Sequence, residues 1–189
     1  MAKKWIAIVG SSRQGKNTEI ITDYIIKALK EKEIDVEKYM LSSENISTCS
    51  GCEYCIKTGE CNINDEVSKI IENMKLYDGY VLASPSYNYN MTAQMKALLD
   101  RTFCLNDYSD GRWKSRLSSD KKAIVVGTCK GKSKESMGYT VEGMKKAMVE
   151  LDIDVVDEIE YYDTKYMPVE MNEGIEDIIV KKVKNNKKI

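Results

Sequence analysis

The sequence predicts an α/β protein, a three-layer sandwich around a five-stranded parallel sheet of order 2-1-3-4-5. Three observations lead there. Apolar runs alternate with helix-periodic segments along the whole chain, the β-α-β-α order of a parallel sheet covered on both faces. The clearest runs are continuous rather than alternating, as strands buried on both sides read. The chain has 189 residues, 42% of them apolar and 31% charged, which suits one α/β domain over residues 1–189 with a single core.

Residues 5–9 ("WIAIV") make the first strand, which ends at Gly10. Residues 17–32 place Ile20, Ile21, Tyr24, Ile25, Ala28 and Leu29 at helical spacing. A short second strand covers 36–40. Residues 41–64 carry four cysteines and little periodicity, and read as a long loop. A helix over 65–76 puts Val67, Ile70, Ile71 and Met74 on one face, with Asp65 suited to its N-cap. The third strand, 79–83 ("GYVLA"), stops at Ser84-Pro85, and 92–103 is an amphipathic helix. Residues 107–119 are a polar and aromatic excursion. The fourth strand, 122–126 ("KAIVV"), is closed by Gly127. A helix over 137–151, a fifth strand over 155–161 and a helix over 173–187 complete the chain. The basic stretch 181–188 reads as a solvated helix end.

Charge and composition exclude several function classes. Lys+Arg 29 against Asp+Glu 30 gives a net charge of −1, which is no nucleic-acid surface. No run of about 18 apolar residues predicts a membrane span. Met1 leads almost directly into a strand without a charged-then-apolar leader, so the expected location is the cytoplasm. In that reducing compartment six cysteines need a reason other than structural disulfides. There is no histidine, which removes the commonest general base and imidazole ligand.

In open parallel sheets ligands sit beyond the carboxyl ends of the strands, near the switch point. Three loops leave those ends, at 10–16, 84–91 and 127–136. The first, in "IVGSSRQGKNTEII", nearly spells a nucleotide phosphate loop, with Gly10, Gly15 and Lys16 correctly spaced. Asn17 stands where the magnesium-binding hydroxyl belongs, and no strand ends in the Asp that would complete the metal site. The stretch suits a monophosphate better: Ser11, Ser12, Asn17 and Thr18 offer donors, Arg13 can pair with a dianion, and the helix start is electropositive. Two alternatives stay open, a glycine turn with an N-cap and no ligand, and a non-enzymatic nucleotide-binding module. In the second loop Pro85 breaks the strand and Tyr87, Asn88, Tyr89 and Asn90 crowd a short exposed turn, a platform for a flat heterocycle. The plainer reading is a tyrosine-rich turn packed on its own domain.

Together "GSSRQGKNTEII" and "SPSYNYNMTAQMKALLDR" resemble the NAD(P)H-dependent FMN reductases of the flavodoxin-like superfamily. The resemblance covers most of the first 130 residues. It implies that Ser11, Arg13, Asn17 and Thr18 hold the FMN phosphate. By the same resemblance Pro85, Ser86, Tyr87, Asn88 and Tyr89 frame the isoalloxazine ring, with Thr128 and Cys129 near its other edge.

The stretch "CSGCEYCIKTGEC" sets Cys49, Cys52, Cys55 and Cys61 in a C-x2-C-x2-C-x5-C array. Such spacing lets three thiolates wrap the corners of a cubane while a short excursion returns the fourth. Gly51 and Gly59 are expected to let the backbone pass close to the sulfides. Structural zinc, disulfides and free thiols are the competing readings. Cys104, outside the array, reads as a buried apolar residue. The array resembles that of the iron–sulfur flavoproteins, a subgroup of the same family, which implies a 4Fe–4S cluster beside FMN. It also implies a homodimer or homotetramer in which cluster and flavin of neighbouring subunits approach. The function so implied is electron transfer between a reduced donor, NAD(P)H or ferredoxin, and an acceptor, with hydride chemistry belonging to the cofactors and no catalytic side chain assigned. A cluster-free NAD(P)H-dependent FMN or quinone reductase is the alternative. Trp113, between Arg112 and Lys114, has two open roles, covering the flavin pocket or making a subunit contact.

Overall fold

In chain order the strands are β1 (Lys4–Val9), β2 (Asp35–Met40), β3 (Gly79–Pro85), the two-residue β4 (Asn106–Asp107) and β5 (Lys114–Ser115), β6 (Lys122–Thr128) and β7 (Asp154–Tyr161). The helices are α1 (Asn17–Lys30), α2 (Tyr54–Thr58), α3 (Glu66–Met74), α4 (Ala93–Arg101), α5 (Lys134–Met137), α6 (Thr140–Glu150) and α7 (Ile175–Asn185). This computed structural model describes residues 3–43 and 45–189; the chain start, read above as leaderless, lies with Met1 and Ala2 outside the described residues, as does Glu44 of the cysteine-rich loop.

The long strands form one parallel sheet in the order β2-β1-β3-β6-β7, and β4 and β5 form a separate antiparallel pair. With that pair set aside the order is the expected 2-1-3-4-5. The three inner strands are buried almost throughout, whereas the edge strands β2 and β7 are half exposed. Alternation along the inner strands divides the core into two layers. Ile6, Ile8, Tyr80, Leu82, Ala123 and Val125 face α3, α4 and α6, where they meet Ile70, Leu98 and Met144. Trp5, Ala7, Val81, Ala83, Ile124 and Val126 face α1 and α7, where they meet Ile25, Leu29 and Val183. The period of two along each strand produces this split, because successive side chains leave opposite faces.

The sheet's carboxyl edge is stitched at one point. The Gly10 N–H donates to the Ala83 carbonyl at 2.7 Å, and the Gly10 carbonyl accepts from the Thr92 hydroxyl at 2.7 Å. Thr92 is the N-cap of α4, its oxygen accepting from the Met95 N–H, while its own N–H donates to the Ser84 hydroxyl at 3.0 Å. A Cβ on Gly10 would lie 2.9 Å from that Thr92 oxygen, so only glycine permits the approach.

Several local expectations are corrected. The loop over 41–64 contains a 3-10 turn, Leu41–Ser43, and the short helix α2. β3 runs through Pro85, which as the last strand residue has no ladder bond to forfeit. The helix expected over 92–103 stops at Arg101 and tightens into a 3-10 turn, Thr102–Leu105. The excursion over 107–119 carries all of the β4–β5 pair except Asn106, and all of its turn. The helix expected over 137–151 is broken at Gly138 (φ 58°), for a reason that lies in the cleft described below. Among the described residues no helix is long and apolar enough to cross a membrane.

Thr92→Ala removes the α4 cap and strands the buried Gly10 carbonyl. It is expected to destabilise the fold by about 2 kcal/mol, read as a lower urea midpoint at unchanged slope, with Thr92→Ser retaining most of the stability.

Candidate functional site

A cleft of about 600 Å³ opens at the carboxyl edge between the ends of β1, β3 and β6. All eleven residues expected to bind a cofactor line it; nine arrive on the three expected loops, and Asn17 and Thr18 on the first turn of α1. At its first corner Ser11 accepts from the Arg13 N–H at 3.1 Å, folding the turn after β1. The Thr18 and Thr128 hydroxyls bond each other at 2.7 Å in a buried contact that ties α1 to β6. Asn17 accepts the Val169 N–H on Oδ1 at 2.7 Å, which leaves its Nδ2 as a donor. Ser11 and Thr18 therefore shape the corner. Arg13, Asn17 and the backbone present its donors.

The start of α1 is prepared for an anion. Asp65 and Thr92 cap α3 and α4 with side-chain oxygens, whereas α1, like α6 and α7, has no side-chain cap. Its first-turn N–H groups and the positive end of its dipole are left for a ligand. Arg13, Lys16 and Lys130 line the cleft and no carboxylate does, although Glu170 pairs with Lys16 at 3.6 Å and Glu19, in the first turn of α1, accepts the Gly15 N–H at 2.6 Å. That arrangement removes the support for a nucleotide-hydrolase site.

The opposite wall is the turn after β3. Tyr87 and Asn90 exchange backbone bonds at 2.7 and 3.1 Å across Asn88 (φ 50°) and Tyr89 (φ 67°). Two consecutive left-handed residues make a two-residue turn of the hairpin type; asparagine suits it, but tyrosine is strained there. Both tyrosine rings are exposed at the rim, and the Tyr87 hydroxyl reaches Ser12 at 3.0 Å. The turn is braced from behind. Ser86 donates to the Ser136 and Met137 carbonyls, and the Tyr139 N–H donates to the Tyr89 carbonyl at 2.8 Å. A Cβ on Gly138 would sit 2.2 Å from that carbonyl, which is why the α5–α6 segment breaks at this glycine. On the third loop Cys129 is buried, and burial pushes its thiol pKa up, so it faces the cleft neutral.

Lys16, Lys130, Gly131, Ser136 and Thr164 also line the cleft and were not among the expected binders. Four of them lie on or at the edge of the loops already singled out. Thr164 comes from the segment after β7, a fourth carboxyl-edge loop that the strand-end rule could have included.

Cys49, Cys52, Cys55 and Cys61 all line a second, small cavity, together with Arg101, Phe103 and Cys104. Cys49 and Cys52 are exposed, Cys55 and Cys61 half-buried, and no disulfide joins any of them. The Tyr54 N–H and the Ser50 hydroxyl lower the Cys52 pKa; burial raises that of Cys55, with the facing thiols adding to the rise. Cys104 is buried as expected, its pKa pushed up to about 12 by burial. Gly51 and Gly59 both have positive φ (67° and 73°), and the space beyond the Gly59 Cα is filled by the Arg116 guanidinium. Trp113 lines the large cleft nowhere; it packs edge-on against Tyr108 at 4.4 Å and Phe103 at 5.6 Å.

Arg101 is the buried charge of this region. It pairs with Asp65 at 2.6 Å and donates also to the Ser47 and Ile63 carbonyls and the Ser68 hydroxyl. Those four bonds use both terminal nitrogens and leave its buried Nε–H without a partner. A buried orphan donor costs about 1–3 kcal/mol, more on a charged group, unless a ligand accepts from it.

The fold and the anion-ready cleft at its switch point define a flavodoxin-like protein. The chain belongs to the NADPH-dependent FMN reductase family, which matches it over residues 3–168. Among curated relatives, an iron–sulfur flavoprotein of Archaeoglobus fulgidus is 34% identical over 136 residues, 72% of this chain and 60% of that one. Another, from Methanosarcina thermophila, is 35% identical over 102 residues, 54% of this chain and 53% of that one. The chain thus spans little more than half the length of these relatives. Of solved structures, an FMN-dependent NADH-azoreductase from Bacillus anthracis in complex with FMN superposes with a TM-score of 0.71 at 14% identity, covering 96% of this chain and 98% of that one. A flavodoxin from Streptococcus pneumoniae gives 0.60 at 17% identity, covering 98% and 97%. At those identities the structures speak for the fold.

Burial opposes ionisation of Asp65, but the Arg101 bond and the Ser47 and Ser68 N–H groups outweigh it and lower its pKa from 3.8 to about 2. A carboxyl lowered by folding contributes stability that is fully present above its unfolded pKa and is lost as pH falls through the folded one. Denaturant midpoints are therefore expected to drop between about pH 4 and pH 2, and Asp65→Asn to flatten that part of the profile.

Proposed function

We propose that this chain is an FMN-dependent oxidoreductase passing electrons between a reduced donor, NAD(P)H or ferredoxin, and an acceptor. In this reading it also carries a 4Fe–4S cluster on Cys49, Cys52, Cys55 and Cys61. The observation that carries the FMN reading is the cleft itself. It joins an uncapped helix start, three cations without a carboxylate and a braced tyrosine rim in a volume suited to a cofactor. Arg13, the Asn17 Nδ2 and the first-turn N–H groups of α1 would hold the phosphate, with Ser11 and Thr18 fixing the loop. Pro85, Ser86, Tyr87, Asn88 and Tyr89 would frame the ring, with Thr128 and Cys129 at its far edge. When bound, FMN supplies hydride acceptance and single-electron release, and a cluster supplies one-electron storage. The chain's own part is to bind, orient and cover: no histidine or carboxylate lines the cleft, and Cys129 is neutral.

The donor set of the second cavity fits a cluster. Four thiols face one cavity, and the buried Arg101 Nε–H there lacks an acceptor. The cavity measures only about 30 Å³, so an inorganic core would occupy its open side, where Cys49 and Cys52 are exposed. The two cavities share no residue and lie at opposite ends of α4, whose nine residues span about 13 Å. In this reading the protein is a homodimer or homotetramer in which the cluster of one subunit meets the flavin of another. A cluster-free FMN or quinone reductase is the second reading. It is favoured by one observation: among the described residues, no three donor side chains converge on a single metal-ion position.

Arg13→Ala is expected to weaken FMN binding about tenfold, measured by quenching of flavin fluorescence, with Arg13→Lys intermediate. Unchanged affinity would remove the phosphate assignment. Iron and sulfide analysis of oxygen-free protein decides between the two readings: the first expects about four of each per chain, abolished by Cys52→Ser with FMN retained. FMN without iron or sulfide in the wild type leaves the second.

A further inference from the structure

We propose that Arg101 is a positioning and tuning residue of the cysteine-held cluster, donating its Nε–H to the sulfur cage at the Cys61 corner and raising the reduction potential. The inference rests on the cluster reading above and names a residue that the cysteine array does not contain.

Donor accounting leads to it. A guanidinium has five N–H donors in a fixed fork. Four are used: one terminal nitrogen donates to Asp65 and the Ser47 carbonyl, the other to Ser68 and the Ile63 carbonyl. These partners come from both sides of Cys61 and from the start of α3, so the fork cannot rotate without breaking several bonds together. The fifth donor, Nε–H, is fully enclosed and has no partner of good hydrogen-bond geometry, while the guanidinium stands close enough to Cys61, which lines the same cavity, for that thiol to favour its charge. Rigid placement of a charged, unsatisfied donor beside thiols is the geometry of a site completed by an acceptor. Thiolate and sulfide sulfur are the acceptors that the array would bring.

The sign of the effect follows from charge. Reduction adds one electron to the cage, so a nearby cation and a hydrogen bond to sulfur favour the reduced form. Asp65 neutralises part of that charge but leaves the N–H in place. Cys104, which also lines the cavity, is held as a neutral thiol donating to the Arg101 carbonyl at 3.3 Å and adds no opposing charge.

The test compares the wild type, Arg101→Lys and Arg101→Gln, each reconstituted without oxygen and titrated with dithionite. The midpoint is read from the paramagnetic signal of cluster-loaded molecules only. Arg101→Gln is expected to shift the reduction equilibrium about tenfold toward the oxidised form, about 59 mV for a one-electron couple. Arg101→Lys, which keeps the charge and loses Nε–H, is expected to shift it less. An exchangeable proton coupled to the reduced cluster, seen by pulsed electron resonance in deuterated buffer, is expected in the wild type and lost in Arg101→Lys. If Arg101→Gln does not fold, the wild type and Arg101→Lys decide by that proton and the midpoint. A purely structural role would lower iron content while leaving the midpoint and proton coupling of loaded molecules unchanged, and that result overturns the inference alone. Wild-type protein that takes up no iron or sulfide overturns the cluster reading and this inference with it.

Discussion

The whole arrangement depends on all five long strands running the same way and ending in register. Val9 stands opposite Ala83 and Pro85 opposite Thr128, so the chain leaves β1, β3 and β6 at one edge and within one cleft. A parallel sheet can be stable only if both faces are covered, since its inner strands are apolar on each side. The two-layer core satisfies that condition. Helices α1 and α4, which follow β1 and β3, begin at that edge, and α1 delivers its electropositive end there. Burial and ligand binding are thus two results of one topological choice.

Two helices that start at that edge are finished differently, and the contrast separates their tasks. Thr92 closes α4 and ties the Gly10 carbonyl to the Ser84 hydroxyl, which makes the floor rigid. α1 is left open where Arg13, Lys16 and Lys130 gather. At its far end α4 delivers Arg101 to the cysteine segment, where its pair with Asp65 fixes the entrance of α3. Breaking such a buried pair costs about 3–5 kcal/mol, so the cysteine loop is anchored to the sheet layer rather than draped over it.

Much of this was legible in the sequence because it depends on local pattern. Continuous apolar runs identified β1, β3 and β6, shorter mixed stretches the edge strands β2 and β7, and Asp65 announced the start of α3. The motif residues from Ser11 to Thr18 and from Pro85 to Tyr89 gather in one cleft because strand ends fix where loops begin. What stayed hidden depends on contacts distant in sequence. Nothing in the periodicity around Gly138 indicates a break, which is imposed by the Tyr89 carbonyl. The pairing of Asn106–Asp107 with Lys114–Ser115 involves too few residues for an alternating signal. Lys130 and Thr164 become cleft residues only when β6 and β7 are aligned. Arg101 sits on an otherwise ordinary amphipathic helix, and its partners lie 33 to 54 positions away.

The turn that carries Tyr89 also sets a conflict between durability and use. A side chain held in the left-handed region costs about 1 kcal/mol or more that glycine would not incur. The native residue keeps that penalty and gains a broad ring at the mouth of the cleft. Selection for heat resistance would push this position toward glycine, whereas retention of the aromatic surface opposes it. Thermally improved descendants of this chain are thus forced to find their gains elsewhere in the molecule or surrender the rim.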